Sequence, residues 1–314
     1  MDDNVNNNVN EATDTRSTGS RRFGVGKTTA FDVFNIIFFI IMAFIMVYPF
    51  WSLVMSSFVM PYEAAGRIFI PWPRNPVLYW YNFIFMTDRF PRAFVVTVII
   101  TVTSTLYTLV ITSTCAYALT KKTVPGYRLF IVLITITMFF GGGLIPYFML
   151  MRAMGMLNTL WPLIIGSMGF MNFVIIRSFL SQIPEGMEES AVIDGANEIK
   201  IFFRIILPLS VPVLAVITLW SAVGNWNAFF GAMVYLPARP DLHPLQLVLR
   251  RLVVEDHSIE GADFLFRQQF EGVHIWMQGV QNAAVVVATV PILVVYPFLQ
   301  KYFVKGIYLG AMKG

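Results

Sequence analysis

The sequence predicts an all-α integral membrane fold with six transmembrane helices and both termini in the cytoplasm. Three observations carry that prediction. Of the 314 residues, 57% are hydrophobic and 13% charged, against roughly 25% charged in a soluble domain. Six runs reach the about 20 apolar residues that a membrane helix needs: Val33–Met55, Ala93–Leu119, Leu129–Met151, Leu160–Phe179, Ile205–Tyr235 and Ala283–Phe303. An even number of spans leaves both ends on one side, and basic residues choose that side. Thirteen lie on the side of the N-terminus and nine on the other; the tight connection 121–128 holds Lys121, Lys122 and Arg128, whereas 151–158 holds only Arg152. The basic residues sit at the ends of apolar runs rather than in a patch, which argues against a nucleic-acid partner.

Residues 1–30 read as a polar cytoplasmic tail and 31–314 as one six-helix transmembrane domain. The tail begins Asp2-Asp3 and has no apolar stretch before Phe31, so it lacks the core of a signal peptide. Gly24 to Thr29 imitates a phosphate-binding loop, but Arg21 stands where the first glycine belongs. The chain therefore has no ATP site of its own, and its energy comes from another chain or an ion gradient. After the first span, 58–92 is rich in Pro61, Trp72 and Trp80 and suits a cap at the outer interface. The third span contains Gly141-Gly142-Gly143-Leu144-Ile145-Pro146. Gly142, Gly143 and Pro146 read either as a hinge or gate on a pathway or as close helix packing through small residues. The fourth span carries Asn172 and helix breakers, tolerated in lipid where neighbouring protein satisfies them.

Between the fourth and fifth spans lies a charged island, about 184–206. Pro184-Glu185 starts a helix, with Glu188 and Glu189 near the positive end of its dipole. Ala191 and Ala196 are small, Asp194-Gly195 permits a sharp turn, and Leu207-Pro208 leads into the membrane. The expectation is a pair of short helices at nearly right angles below the bilayer; an amphipathic helix on the membrane surface is the other reading of the residues alone. Midway along the fifth span, Asn225, Trp226 and Asn227 combine an aromatic ring with amides. That set suits a sugar pathway, or hydrogen bonds between helices. No Arg or Lys lies mid-span to meet a carboxylate. The outer loop, about 236–282, is long and charged, with a short helix expected at Leu245–Val254. His243, His257 and His274 are too widely spaced for a zinc site. No catalytic set and no metal site can be composed, so the chain reads as a non-enzyme.

The island resembles the EAA motif of bacterial ABC importer permeases: Glu-Ala-Ala, three residues, Gly, nine residues, Ile-x-Leu-Pro. Glu189, Ala191, Gly195, Ile205, Leu207 and Pro208 fall on that pattern, with Ser190 for the middle alanine. The tail Gln300 to Ile307 with Gly310 to Gly314, and Pro244-Leu245-Gln246-Leu247, resemble the carbohydrate (MalG-like) permeases. Gly142 to Pro146 and Leu245 to Arg251 are similar to their complex-oligosaccharide subgroup (YtcP- and LplC-like), of aldouronate and rhamnogalacturonan type. The resemblance covers most of the chain after residue 30 and implies the MetI/MalG-like fold in a bacterial plasma membrane. It implies a homologous second permease, two cytoplasmic ATPases holding ATP and Mg2+, and an extracellular solute-binding protein. It gives Glu188, Glu189, Ala191, Asp194, Gly195, Ala196, Leu207 and Pro208 the role of coupling to the ATPase. The substrate expected is a neutral or acidic oligosaccharide. An ABC permease for another solute is the nearest alternative. A gradient-driven transporter or membrane-bound enzyme is the alternative of another class, and the spans hold hardly any of the charge a gradient-driven carrier needs.

Overall fold

The computed structural model describes residues 29–67, 70–166, 169–254 and 276–311, with the side chains of 254 and 298–311 excepted. The phosphate-loop look-alike up to Lys27-Thr28, His257, His274 and the last three residues of the C-terminal tail lie outside the described residues. Every regular element among the described residues is helical. The chain divides into two units, Met1–Trp51 and Ser52–Gly314.

Helix α1, Ala30–Ser56, begins where the Asp32 carboxylate accepts from the Thr29 backbone N–H at 2.8 Å and runs 27 residues, about 40 Å at 1.5 Å per residue. In the first unit its Phe31, Phe34, Phe39 and Ile40 are all exposed. An exposed apolar helix of this length, with Asp32 in its first turn as its charged residue, matches a hydrocarbon core of about 30 Å.

In the second unit the organising element is α4, Arg89–Ala118. Its first turns enter one apolar cluster and its last turns another. At the start, Phe90 and Ala93 pack with Trp80, Phe83 and Ile84 of α3 (Tyr79–Met86), with Trp226, and with Val280, Ala283 and Ala284 of the last helix. At the far end, Ala116 and Tyr117 pack with Phe173, Ile176, Ala191, Ile201, Phe202 and Ile217. The Pro-rich segment expected to be a surface cap thus supplies core: Trp80 is 1% exposed, and its indole donates to the Val59 carbonyl at 2.8 Å. Among the described residues of that segment, α2, Pro61–Ala64, forms ahead of α3. Burying an aromatic ring here is worth roughly 1.5–3 kcal/mol, which explains the inward turn of Trp80 and Phe83, while Trp72 of the same segment stays exposed.

Among the described residues, three helices are long and apolar enough to cross a membrane: Ala30–Ser56, Arg89–Ala118 and Met277–Pro297, the first 21 residues of the final helix Met277–Ala311. Two bent pairs raise the candidates to five. The other expected spans are interrupted, and each interruption has a local cause. The third is α5, Tyr127–Phe139, and α6, Leu144–Ala153, bent by 117° across Gly141 to Gly143. The fourth is α7, Trp161–Ile165, and α8, Phe170–Leu180, separated at Gly166 and Gly169. After α9, Glu185–Ile193, and α10, Glu198–Ile201, the fifth passes through α11, Leu207–Leu209, and turns by 77° at Ser210 into α12, Val211–Trp226. Pro208 and Pro212 lack the N–H that would continue the ladder. After Asn227 the chain re-forms as α13, Phe230–Tyr235. The helix expected in the outer loop is α14, Leu245–Val254.

Candidate functional site

The charged island folds as two short helices, α9 at Glu185–Ile193 and α10 at Glu198–Ile201. Pro184 stands at the N-cap with Glu185 and Glu188 in the first turn. The end of α9 explains the motif spacing. Gly195 has φ +77°; its N–H donates to Val192 O and that of Ala196 to Ala191 O, both at 2.9 Å. This is the Schellman closure, which needs a left-handed residue after the cap. Asp194 is that cap. Nothing lies within 4 Å of a Cβ built on Gly195, so its requirement is backbone conformation and not space. Asn197 then opens α10, its side-chain oxygen accepting from the Lys200 N–H at 2.8 Å.

The pair is mounted on the end of α4. Ala191 and Ile201 turn into the cluster with Ala116 and Tyr117, and Ala196 packs against it. The Tyr117 hydroxyl donates to Glu198 at 2.7 Å, and its ring meets Phe202 at 5.2 Å between centroids. Lys121 pairs with Glu188. Behind them Arg177 of α8 donates to the Leu119 carbonyl at 3.0 Å and to the Tyr127 hydroxyl at 2.7 Å. Sequence reasoning missed Tyr117, Lys121, Arg177 and Glu198. Their only signal was polar ends on apolar runs, which does not say which end meets which. The opposite face of the pair is apolar and uncovered: Ile193 is 86% exposed, and Val192, Ile199 and Phe203 are exposed too. Phe202–Ile206 makes a π-helical turn before Leu207-Pro208.

The second candidate set lies by the other end of α4. The structure brings together Trp226, Asn227 and the start of α14, but at the end of α12 rather than midway along a continuous span. Asn227 caps that helix, its amide donating to the Val223 carbonyl at 2.9 Å. Trp226 is 7% exposed; its indole donates to Ala288 O on the last helix at 3.0 Å and its ring meets Phe94 edge-on. Asn225 is half-buried. Asn227 accepts from Gln246 at 3.2 Å, and Arg250 sits over the Phe229 ring at 4.8 Å. Helix α14 is held in place from beneath: the Leu245 N–H donates to the buried Thr97 hydroxyl of α4 at 2.7 Å. His243 is 3% exposed; its Nε2–H donates to the Leu236 carbonyl at 3.0 Å, and Nδ1 accepts from Arg251 at 3.4 Å. Burial pushes the His243 imidazolium below its ordinary pKa, against the upward pull of the Leu236 bond. Gly142 and Gly143 lie apart from this set, in the break between α5 and α6 beside Pro146. Nothing stands within 4 Å of a Cβ on Gly142, and Gly143 has φ +78°. Among the described residues, a Cβ on Gly143 would meet Pro146 at 3.9 Å.

A cavity of about 330 Å³ opens between the end of α1, α2 and the start of the last helix, lined by Ser52, Ser56, Arg67, Trp276, Gln278 and Asn282 among others. The Asn282 amide donates to the Ser56 hydroxyl there at 2.9 Å.

No family model matches the chain. Protein LplC of Bacillus subtilis (strain 168) is 40% identical over 90% of this chain and 95% of its own length. The polygalacturonan/rhamnogalacturonan transport system permease protein YtcP of the same organism is 36% identical over 92% of this chain and all of its own. A solved bacterial ABC transporter involved in the import of the acidic polysaccharide alginate includes a chain with 31% identity and a TM-score of 0.79. The match covers 87% of this chain and 96% of that one.

Proposed function

The chain belongs to the permease subunits of carbohydrate ABC importers, and from that membership we propose that it forms half of the translocation pathway for a complex oligosaccharide. The helix pair around Gly195 is the element that a cytoplasmic ATPase grips. A homologous permease completes the pathway, two ATPase subunits carry ATP and Mg2+, and an extracellular binding protein delivers the sugar. The chain crosses a bacterial plasma membrane six times with both ends inside, the three broken helices counting as spans. The positive-inside distribution of Lys and Arg supports that orientation, as does the polar 121–128 connection, which shares an end of the molecule with α9.

One observation carries the coupling role. Helices α9 and α10 are tied to α4 by a buried cluster and the Tyr117–Glu198 bond, and to the connection after it by the Lys121–Glu188 pair, while their other face, with Ile193, Ile199 and Phe203, is left bare. A face rigid toward the permease and apolar toward the outside can transmit a push. Closure of the ATPase pair would move α4 and α12 together through that mount. Asn225, Trp226 and Asn227, with Gly142, Gly143 and Pro146, are assigned to the pathway and its hinge; Glu188, Glu189, Ala191, Asp194, Gly195, Ala196, Leu207 and Pro208 to coupling.

The test is the reconstituted complex with its binding protein. ATP hydrolysis should rise when the binding protein carries oligosaccharide, and Gly195→Pro should abolish that rise while the subunits still co-purify. Proline cannot adopt the positive φ of this position. A Gly195→Pro complex with normal stimulation removes the coupling role, and a wild-type complex that no sugar-loaded binding protein stimulates removes the sugar reading.

A further inference from the structure

We propose that Arg250, presented with Gln246, Asn227 and Phe229, reads the carboxylate of an acidic oligosaccharide at the outer mouth of the pathway. The inference rests on the oligosaccharide reading above and narrows its substrate to uronate-bearing chains. Gln246 and Arg250 are four residues apart and share one face of α14, while Leu245 and Leu249 turn into the core. The face they share is the one that meets Asn227, at the end of α12. Arg250 is exposed and rests over the Phe229 ring. That contact restrains the guanidinium and uses its face, leaving its N–H fork for a planar anion. Among the described residues, no ion pair involves it. Its neighbours are already committed: Arg239 grips Asp241 at 2.7 Å, and Arg251 donates to His243.

An arginine that pairs with no carboxylate among the described residues gains from one that arrives with the ligand. The amides of Gln246 and Asn227, bonded to each other, would meet hydroxyls beside it with their remaining donors and acceptor. No mid-span cation was legible in the sequence; the cation comes instead from a helix folded back over the end of α12.

The experiment measures uptake of trigalacturonate and of its neutral methyl ester by proteoliposomes holding the full complex, wild type and Arg250→Gln, alongside ATPase stimulation by the loaded binding protein. Wild type should prefer the acid. Arg250→Gln should reduce that preference about tenfold, as expected for losing one charge-assisted hydrogen bond, with Arg250→Lys intermediate. If wild type takes up only the acid, a similar fall in its rate with stimulation preserved carries the same meaning. An unchanged preference overturns the proposal. An equal fall for acid and ester, together with weaker stimulation, overturns it in favour of a contact with the binding protein. Wild-type uptake of a neutral malto-oligosaccharide but of neither probe leaves the sugar reading standing and ends the acidic one.

Discussion

The Schellman closure after α9 makes a graded prediction at residue scale. Gly195 needs a left-handed conformation and no extra room. A β-branched side chain there is strained by roughly 1–2 kcal/mol, whereas asparagine tolerates the region better. Gly195→Val should therefore lower stimulated ATP hydrolysis more than Gly195→Asn does, with assembly retained in both. Equal activities would mean that the turn geometry is not transmitted. The Tyr117 hydroxyl allows a second test. Tyr117→Phe keeps the ring on Phe202 and deletes only the bond to Glu198, a loss of about 1 kcal/mol. A several-fold fall in stimulated ATPase with unchanged basal hydrolysis is expected; no change would show that the apolar cluster alone carries the push.

Among the elements, α14 depends on a neutral histidine. Burial lowers the His243 pKa, while in the unfolded chain it returns to about 6.5. The unfolded state therefore binds the proton first, and the stability this residue contributes is present above about pH 6.5 and lost as pH falls through the depressed folded value. Protonation would also set a cation against Arg251, with Arg89 near, and Asp241 offers only partial relief. Backbone amides of 245–252 should lose hydrogen-exchange protection on going from pH 7.5 to 5, after correction for intrinsic rates. His243→Gln should flatten that dependence. Protection that does not change with pH in the wild type would refute the account.

For the whole molecule, orientation is the quantity to measure. With Cys115→Ala as background, Asp241→Cys should react with an impermeant thiol reagent in intact cells, and Ile193→Cys only after permeabilisation; the reverse pattern inverts the topology. The helical class, α1, α4, the last helix and α14 were legible because apolar run length and helical spacing are local properties. The Gly195 turn was legible because its chemistry is contained within six residues. The breaks in the third to fifth spans were visible as glycines and prolines, but a breaker does not state its angle, and 117° and 77° depend on what the pieces pack against. The mount of α9 on α4 and the Gln246–Asn227–Arg250 face were not legible. Each joins residues from separate stretches of chain, as in Tyr117 with Glu198, 81 positions apart.

The π-helical turn at Phe202–Ile206 amounts to one residue more than an α-helix would hold. It is an insertion kept in place, and its removal has a calculable effect. Deleting a single residue there would let the segment wind as regular helix and leave α10 in nearly the same phase relative to Leu207-Pro208, because the wider turn absorbs the extra residue. Deleting one from the regular helix beside it, with the π turn kept, would rotate α10 by about 100°; Glu198 would then leave Tyr117, and Ile199 and Phe203 would point in new directions. The direction of the bare face is therefore set by a count of residues as much as by their identity. A chain one residue shorter could keep every motif letter and still turn that face elsewhere.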